Sequence, residues 1–107
     1  MKKGMIKVSV LYPQTVGASF DMDYYCATHL PLVKKLLGDS LKSSAAEFGI
    51  AGGAPGSAAP FVCSGHMYFE KIEDFQTSFG PNAGTIMGDL PNFTTIEPTI
   101  QISEVRV

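Results

Sequence analysis

The 107-residue sequence has little of several features that would mark a special class of protein. It contains two cysteines, Cys26 and Cys63, which are too few for a disulfide framework and suit a reducing compartment. No apolar run approaches the roughly 20 residues of a membrane span. The N-terminus lacks the pattern of a cleavable signal. We therefore expect a cytoplasmic protein with no membrane partner.

Charged residues are also scarce, at 17% of the chain against a soluble average of about 25%. The 8 basic and 10 acidic residues give a net charge of −2, and lysines cluster only at Lys2-Lys3 and Lys34-Lys35. Binding to nucleic-acid phosphates requires a basic stripe, so we expect no nucleic-acid partner. Apolar residues make up 45%, which excludes a disordered chain, and the length suits a single domain over residues 1–107.

Alternating apolar residues predict four strands. The pattern is clear at residues 5–12 and 61–70, weaker at 41–50, and present again at 96–105. The third strand is apolar or aromatic on both sides. One side carries Phe61, Cys63, Gly65, Met67 and Phe69, and the other carries Val62, Ser64, His66 and Tyr68.

Two helices separate these strands. The first covers residues 21–38, with Asp21 as its N-cap and Gly38 as its stop, and Pro31 inside it predicts a kink near 27–30. The second covers 71–79 and is followed by a segment that can add a turn or two; residues 89–93 are expected to form a loop.

The order β-α-β-β-α-β is that of the ferredoxin-like α+β fold, a four-stranded antiparallel sheet with both helices on one face. The other face is bare in a monomer. Because the third strand is apolar on both sides, we expect the bare face to form an interface or a ligand groove. The simplest arrangement is a two-fold homodimer whose sheets face each other.

The two histidines are the first candidates for chemistry, because imidazole changes charge near neutral pH. His29 follows Tyr25 by four residues on the same helix face. His66 lies on the third strand between Ser64 and Tyr68. Each could act as a general base or a hydrogen-bond donor. The alternative is a partly buried histidine bonded to a backbone carbonyl.

Several aromatic residues could line a pocket for a flat apolar ligand, although core packing is the better explanation for most of them. They are Phe20, Tyr24, Tyr25, Phe48, Tyr68 and Phe93. Tyr25 and Tyr68 stand out, because a buried phenol needs a hydrogen-bond partner.

The sequence gives little reason to expect a metal or a cofactor. Cys26 and His29 are three residues apart without a further ligand pair, and Cys63 and His66 lie on opposite strand faces. A lone helical cysteine such as Cys26 is usually a small core residue and not a nucleophile. The glycines of residues 51–60 match no phosphate-binding motif and indicate a strand connection.

Three segments resemble the EthD-type domain family: FDMDYYCATHLPLVKKLLG, GHMYFE and FGPNAGTIMGDLPNFTTIEPTIQISEV. The resemblance covers roughly residues 5–105, and its most specific parts are FDxDYYxxTHxPL and IMGDxPNFTxIEPxIQISEV. The family's helix motif falls on Tyr25, His29 and Pro31, and its tail motif on Asp89, Pro91, Asn92 and Glu97-Pro98.

The resemblance implies a dimeric α+β barrel, related in architecture to muconolactone isomerases and cofactor-free monooxygenases. It also implies a link to bacterial degradation of ethyl tert-butyl ether beside a cytochrome P450. We therefore expect cofactor-free proton-transfer or oxygenation-related chemistry on a small hydrophobic or aromatic compound. The alternative is a non-catalytic binding or accessory protein. The expected catalytic residues are His29, Tyr25 and His66, and the expected substrate contacts are Tyr68, Phe20 and Phe93.

Overall fold

The computed structural model describes residues 2–107. The strands are β1 (Ile6–Pro13), β2 (Ser43–Phe48), β3 (Phe61–Phe69) and β4 (Thr99–Glu104). The α-helices are α1 (Met22–Tyr24), α2 (Leu30–Leu37), α3 (Ile72–Phe79) and α4 (Ala83–Gly88). A π-helical turn, Tyr25–His29, joins α1 to α2, and short 3-10 turns occupy Gly38–Ser40, Gly80–Asn82 and Leu90–Asn92.

The four strands form one antiparallel sheet in the order β2-β3-β1-β4. This is the ferredoxin-like α+β arrangement that the alternation of apolar residues predicts. The central pair is in register from Ile6 opposite Phe69 to Tyr12 opposite Cys63. Residues facing the helices therefore alternate with residues on the open face along each strand.

The main core lies between the sheet and the helices. Val8 on β1 and Phe69 on β3 pack against Val33 and Leu37 of α2 and Ile86 of α4. All five side chains are buried, and they fix the distance between the helix layer and the sheet. A cleft lies beside this core.

The first helix begins as its sequence predicts, because the Asp21 side chain accepts a hydrogen bond from the Tyr24 N–H at 3.0 Å. The irregularity before Pro31 is a π-helical turn, in which the Leu30 N–H bonds the Tyr25 carbonyl five residues back. Pro31 has no N–H to give the regular α-helical bond, so a wider turn just before it is favoured.

Some boundaries differ from the sequence expectation. β2 is shorter than residues 41–50, and Ile50 lies outside it with 90% of its surface exposed. The segment after α3 forms the further turns that were expected, but part of 89–93 is a 3-10 turn and not a loop. Within residues 2–107, no helix is long and apolar enough to cross a membrane.

The open face of the sheet mixes polar and apolar side chains. One register row carries Ser9, His66, Ala45 and Gln101 side by side. The half-exposed apolar side chains lie instead at the two sheet edges, on the side that faces the helices. They are Phe48 on β2 and Ile100 and Ile102 on β4.

Candidate functional site

A cleft between the helix layer and the sheet holds the candidate site. Its walls are mostly apolar, with Val10 from β1, Val33 from α2 and Phe79 from α3 among them. The cavity volume is about 70 Å³, against the roughly 10–15 Å³ that one water needs. Tyr25 and His29 line the cleft and are 2% and 4% exposed, so polar groups here act largely out of bulk water.

His29 is held by a carboxylate from a distant part of the chain. Its Nδ1 lies 2.9 Å from Oδ2 of Asp89, which follows α4 directly. The two side chains are 5% and 12% exposed. A histidine oriented through Nδ1 by a carboxylate is the arrangement that hydrolases use to hold a general base.

Asp89 is bound at both of its oxygens. Oδ1 accepts the Tyr24 hydroxyl at 2.7 Å and the Asn92 amide at 2.9 Å, while Oδ2 faces His29. Burial acts to raise the pKa of Asp89, but the hydrogen bonds from Asn92, His29 and Tyr24 outweigh it and hold the pKa below its usual value. The carboxylate is therefore ionised at neutral pH. In turn, the bond to Asp89, together with a smaller contribution from burial, raises the pKa of Tyr24.

This network sets the tautomer of neutral His29. An ionised carboxylate only accepts hydrogen bonds, so Nδ1 must carry the proton, and Nε2 is left with a lone pair. Nε2 bonds no atom of residues 2–107. If Nε2 were also sealed from solvent, it would be a buried nitrogen without a partner. Within residues 2–107 the one side-chain nitrogen or oxygen of that kind is Nδ1 of His66, so Nε2 of His29 is accessible to solvent. His29 thus presents a hydrogen-bond acceptor and potential base.

The ring of His29 is also packed from two sides. Tyr25 stacks on it with ring centroids 5.6 Å apart and planes at 19°, and Phe93 lies at 4.6 Å. Phe93 contacts Phe20 at 5.4 Å, and Phe20 contacts Tyr12 at 4.9 Å. The aromatic cluster restricts rotation of the imidazole and keeps Nε2 in one direction.

Tyr25 directs its hydroxyl toward β3. A Cβ atom at Gly65 would collide with that hydroxyl, so the absence of a side chain at residue 65 is what admits the phenol. Burial raises the pKa of Tyr25 and of Tyr12, and both phenols stay protonated. Burial likewise raises the pKa of the neighbouring Cys63 thiol to about 12, which argues against a nucleophilic role for it.

His66 is placed apart from this site. Gly65 faces Tyr25, so the side chain of the next residue points to the opposite, open face of the sheet. There its Nε2 lies 3.0 Å from Oε1 of Glu47, and its Nδ1 is the sealed, unpartnered atom. His66 is nevertheless one of the residues that line the cleft, beside Gly65.

The three expected substrate contacts, unlike His66, fall outside the cleft wall. Tyr68 lies on the open face, with Nζ of Lys7 at 5.9 Å from its ring centroid. Phe20 and Phe93 stand behind Tyr25 and His29 as packing partners. Of the six residues expected at the site, Tyr25, His29 and His66 line the cleft. Phe20 and Phe93 stand behind Tyr25 and His29, and Tyr68 lies on the open face.

Three residues of the network were not expected at the site from the sequence. Tyr24 was one of several aromatic residues considered for a pocket, and Asp89 and Asn92 appeared only in the family's tail motif. A pairing across 60 residues leaves no local pattern, so that motif was the one available signal for Asp89. Within the described residues 2–107, no group of three or more His, Cys, Asp or Glu side chains could hold a metal ion.

Comparison with known proteins identifies the family to which the chain belongs. The model of the EthD domain matches residues 14–97, which is most of the chain. The chain belongs to the EthD family. An EthD-like protein from Ralstonia eutropha JMP134 is 42% identical, with a TM-score of 0.92 and coverage of 99% of this chain and 96% of that one. No curated protein matches significantly.

More distant structures share the fold of this EthD domain. An EthD family protein from Bacillus halodurans C-125 is 24% identical, with a TM-score of 0.65 and coverage of 94% of this chain and 97% of that one. A dimeric ferredoxin-like protein from Thermobifida fusca YX is 12% identical, with a TM-score of 0.63 and coverage of 98% and 94%.

Proposed function

We propose that this EthD domain is a cofactor-free proton-transfer protein for a small hydrophobic or aromatic compound, with His29 as the general base. The observation that carries this proposal is the unequal environment of the two nitrogens of one imidazole. Nδ1 is fixed by ionised Asp89, while Nε2 is unbonded, and His29 lines an apolar cleft.

The proposed step moves one proton and needs no other reactant. Nε2 of His29 takes a proton from an O–H or an activated C–H of the bound molecule. The imidazolium is then stabilised by the carboxylate of Asp89, which remains ionised. Return of the proton to another atom of the same molecule completes an isomerisation and regenerates the base. In this scheme Tyr25 stacks on the imidazole and holds its orientation toward the bound molecule.

A probe with an acidic C–H tests this role without knowledge of the natural substrate. Deuterium uptake at C1 of 2-tetralone in D₂O is followed by proton NMR. General-base catalysis contributes about 10²–10⁴-fold, so we expect the His29→Gln variant to exchange the probe at least about 100-fold more slowly. Glutamine can still donate to Asp89, so the network is least disturbed by this change.

If 2-tetralone exchanges no faster with the native protein than in buffer alone, His29 does not act as a general base. If the probe binds at the cleft but does not exchange, the second function applies, namely non-catalytic binding of an apolar compound in a degradation pathway.

One observation favours that second function: the cleft wall contains no lysine, arginine, aspartate or glutamate.

The same proposal includes a homodimer through the open sheet face. Its support is that face's mixture of Leu11, Val62 and Tyr68 with polar residues, and the dimeric state stated for the distant Thermobifida fusca protein. It also places the protein in the reducing cytoplasm, where the free thiols of Cys26 and Cys63 persist.

Light scattering at micromolar concentration tests the assembly. We expect twice the 11.4 kDa mass of one chain. The Leu11→Asp variant should shift the mass toward the monomer because it buries a charge at the interface. A matched change at the fully exposed loop residue, Val16→Asp, should leave the mass unchanged. A native protein of monomer mass would contradict the dimer.

A further inference from the structure

The chemistry of the cleft limits what it can bind. None of its twenty lining residues is a lysine, arginine, aspartate or glutamate. An anionic ligand would therefore find no permanent cation, and it would approach the ionised Asp89 behind His29. Transfer of an unpaired charge into such an apolar site is costly, so the wall selects against anions.

The polar end of the cleft adds a directional requirement. Asp89 accepts at both oxygens, so Nδ1 of His29 carries the proton and Nε2 can only accept while the ring is neutral. A ligand group that also only accepts, such as an ether oxygen, leaves Nε2 unpaired. A site built to bond a hydroxyl discriminates strongly against the analogue that lacks it.

We infer that the cleft binds an uncharged, mainly apolar molecule through a hydroxyl group that donates to Nε2 of His29. This inference rests on the proposed function and names the class of ligand for the same site. The hydroxyl hydrogen is then the proton that His29 is placed to accept.

Asp89 becomes a positioning residue that sets this preference, and its amide isostere reverses the polarity of the site. In the Asp89→Asn variant, the position of Oδ1 still faces two donors, the Tyr24 hydroxyl and the Asn92 amide, and so takes the carbonyl oxygen. The amide nitrogen must then occupy the position of Oδ2 and donate to Nδ1. The proton of His29 moves to Nε2, which becomes a donor.

Ligand binding measures this reversal directly. Calorimetric or NMR titrations at pH 7 compare matched phenyl and naphthyl compounds: phenol and 2-naphthol as donors, anisole and 2-methoxynaphthalene as acceptors, and benzoate and 2-naphthoate as anions. In the native protein, we expect each hydroxyl compound to bind at least about tenfold more tightly than its ether or its carboxylate. In Asp89→Asn, the hydroxyl-to-ether ratio should fall to about one or below.

A matched control separates the tautomer from general damage to the network. The Tyr24→Phe variant also loses a bond to Asp89 but keeps the carboxylate, so its preference for the hydroxyl compound should match the native protein. Circular dichroism confirms that each variant is folded.

Several results would overturn the inference: equal binding of hydroxyl and ether in the native protein, tightest binding of a carboxylate, no binding in either series, or an unchanged preference in folded Asp89→Asn. These results leave the deuterium-exchange test of the base role standing on its own. Conversely, a preference for hydroxyl compounds without exchange of 2-tetralone would support the inferred ligand class and contradict the role of His29 as a general base.

Discussion

Tyr24 and His29 lie five residues apart on one helix and bind the two different oxygens of the same carboxylate, Asp89. In a regular α-helix of 3.6 residues per turn, five residues rotate by about 140°, which would turn the two side chains apart. Here the Leu30 N–H bonds the Tyr25 carbonyl, so the turn is wider and residues five apart come into line. The π-helical turn is therefore what allows both side chains to reach Asp89.

The lowered pKa of Asp89 predicts a specific dependence of stability on pH. Its folded pKa lies below the unfolded value of about 3.9, so the unfolded state binds more protons as the pH falls through this range. The stability contributed by Asp89 is therefore complete well above pH 4. It is lost as the pH falls from about 4 through the folded pKa.

Urea unfolding of the native protein and Asp89→Asn at pH 7, 5, 4 and 3 measures this contribution. We expect the native protein to be more stable by about 1–3 kcal/mol at pH 5 and 7, and the difference to shrink below pH 4. Asp39→Asn, at an exposed residue whose carboxylate makes no hydrogen bond within residues 2–107, is the matched control and should show little difference. A difference that stays constant down to pH 3 would contradict the assignment.

Much of the fold could be predicted from the sequence because its signals are local. Period-two alternation at residues 61–69 identifies β3, and Asp21 marks the start of the first helix. The site is less local. Tyr25 and His29 are visible as helix neighbours, whereas Asp89 meets them only after the chain has crossed the sheet.

The differences between the expected ligand contacts and the residues around the cleft have a common physical origin. Alternation puts His66 and Tyr68 on the face opposite Gly65, but it does not say which face bears the helices. An aromatic side chain has the same sequence signal whether it lines a cleft or supports one. Phe93 therefore looked like a ligand contact, although it packs against the ring of His29.

The two cysteines should differ sharply in reactivity. Cys26 is exposed on the π-helical turn, while Cys63 is fully buried and burial raises its pKa to about 12. Ellman's reagent at pH 8 should therefore react rapidly with one thiol in the native protein and with two in urea. Cys26→Ser should remove the rapid phase and Cys63→Ala should keep it. Two rapidly reacting thiols in the native protein would show that Cys63 is accessible.

Gly65 and Tyr25 should be energetically coupled, because a Cβ atom at residue 65 would overlap the Tyr25 hydroxyl. The same Cβ would lie 3.6 Å from the ring carbon that bears the hydroxyl, which is an ordinary contact distance. We expect Gly65→Ala to lower the free energy of unfolding by about 1–3 kcal/mol. In a Tyr25→Phe background the overlap is gone, so the same change should cost at least about 1 kcal/mol less.

Denaturant unfolding of the four proteins in this double-mutant cycle gives the coupling energy. Gly84→Ala in α4 is the control for adding a methyl group, since nothing lies within 4 Å of its Cβ position. Alanine favours a helix over glycine by up to about 1 kcal/mol, so this control should leave stability unchanged or raise it. If Gly65→Ala costs the same with tyrosine and with phenylalanine at residue 25, the Tyr25 hydroxyl does not occupy the space that Gly65 leaves open.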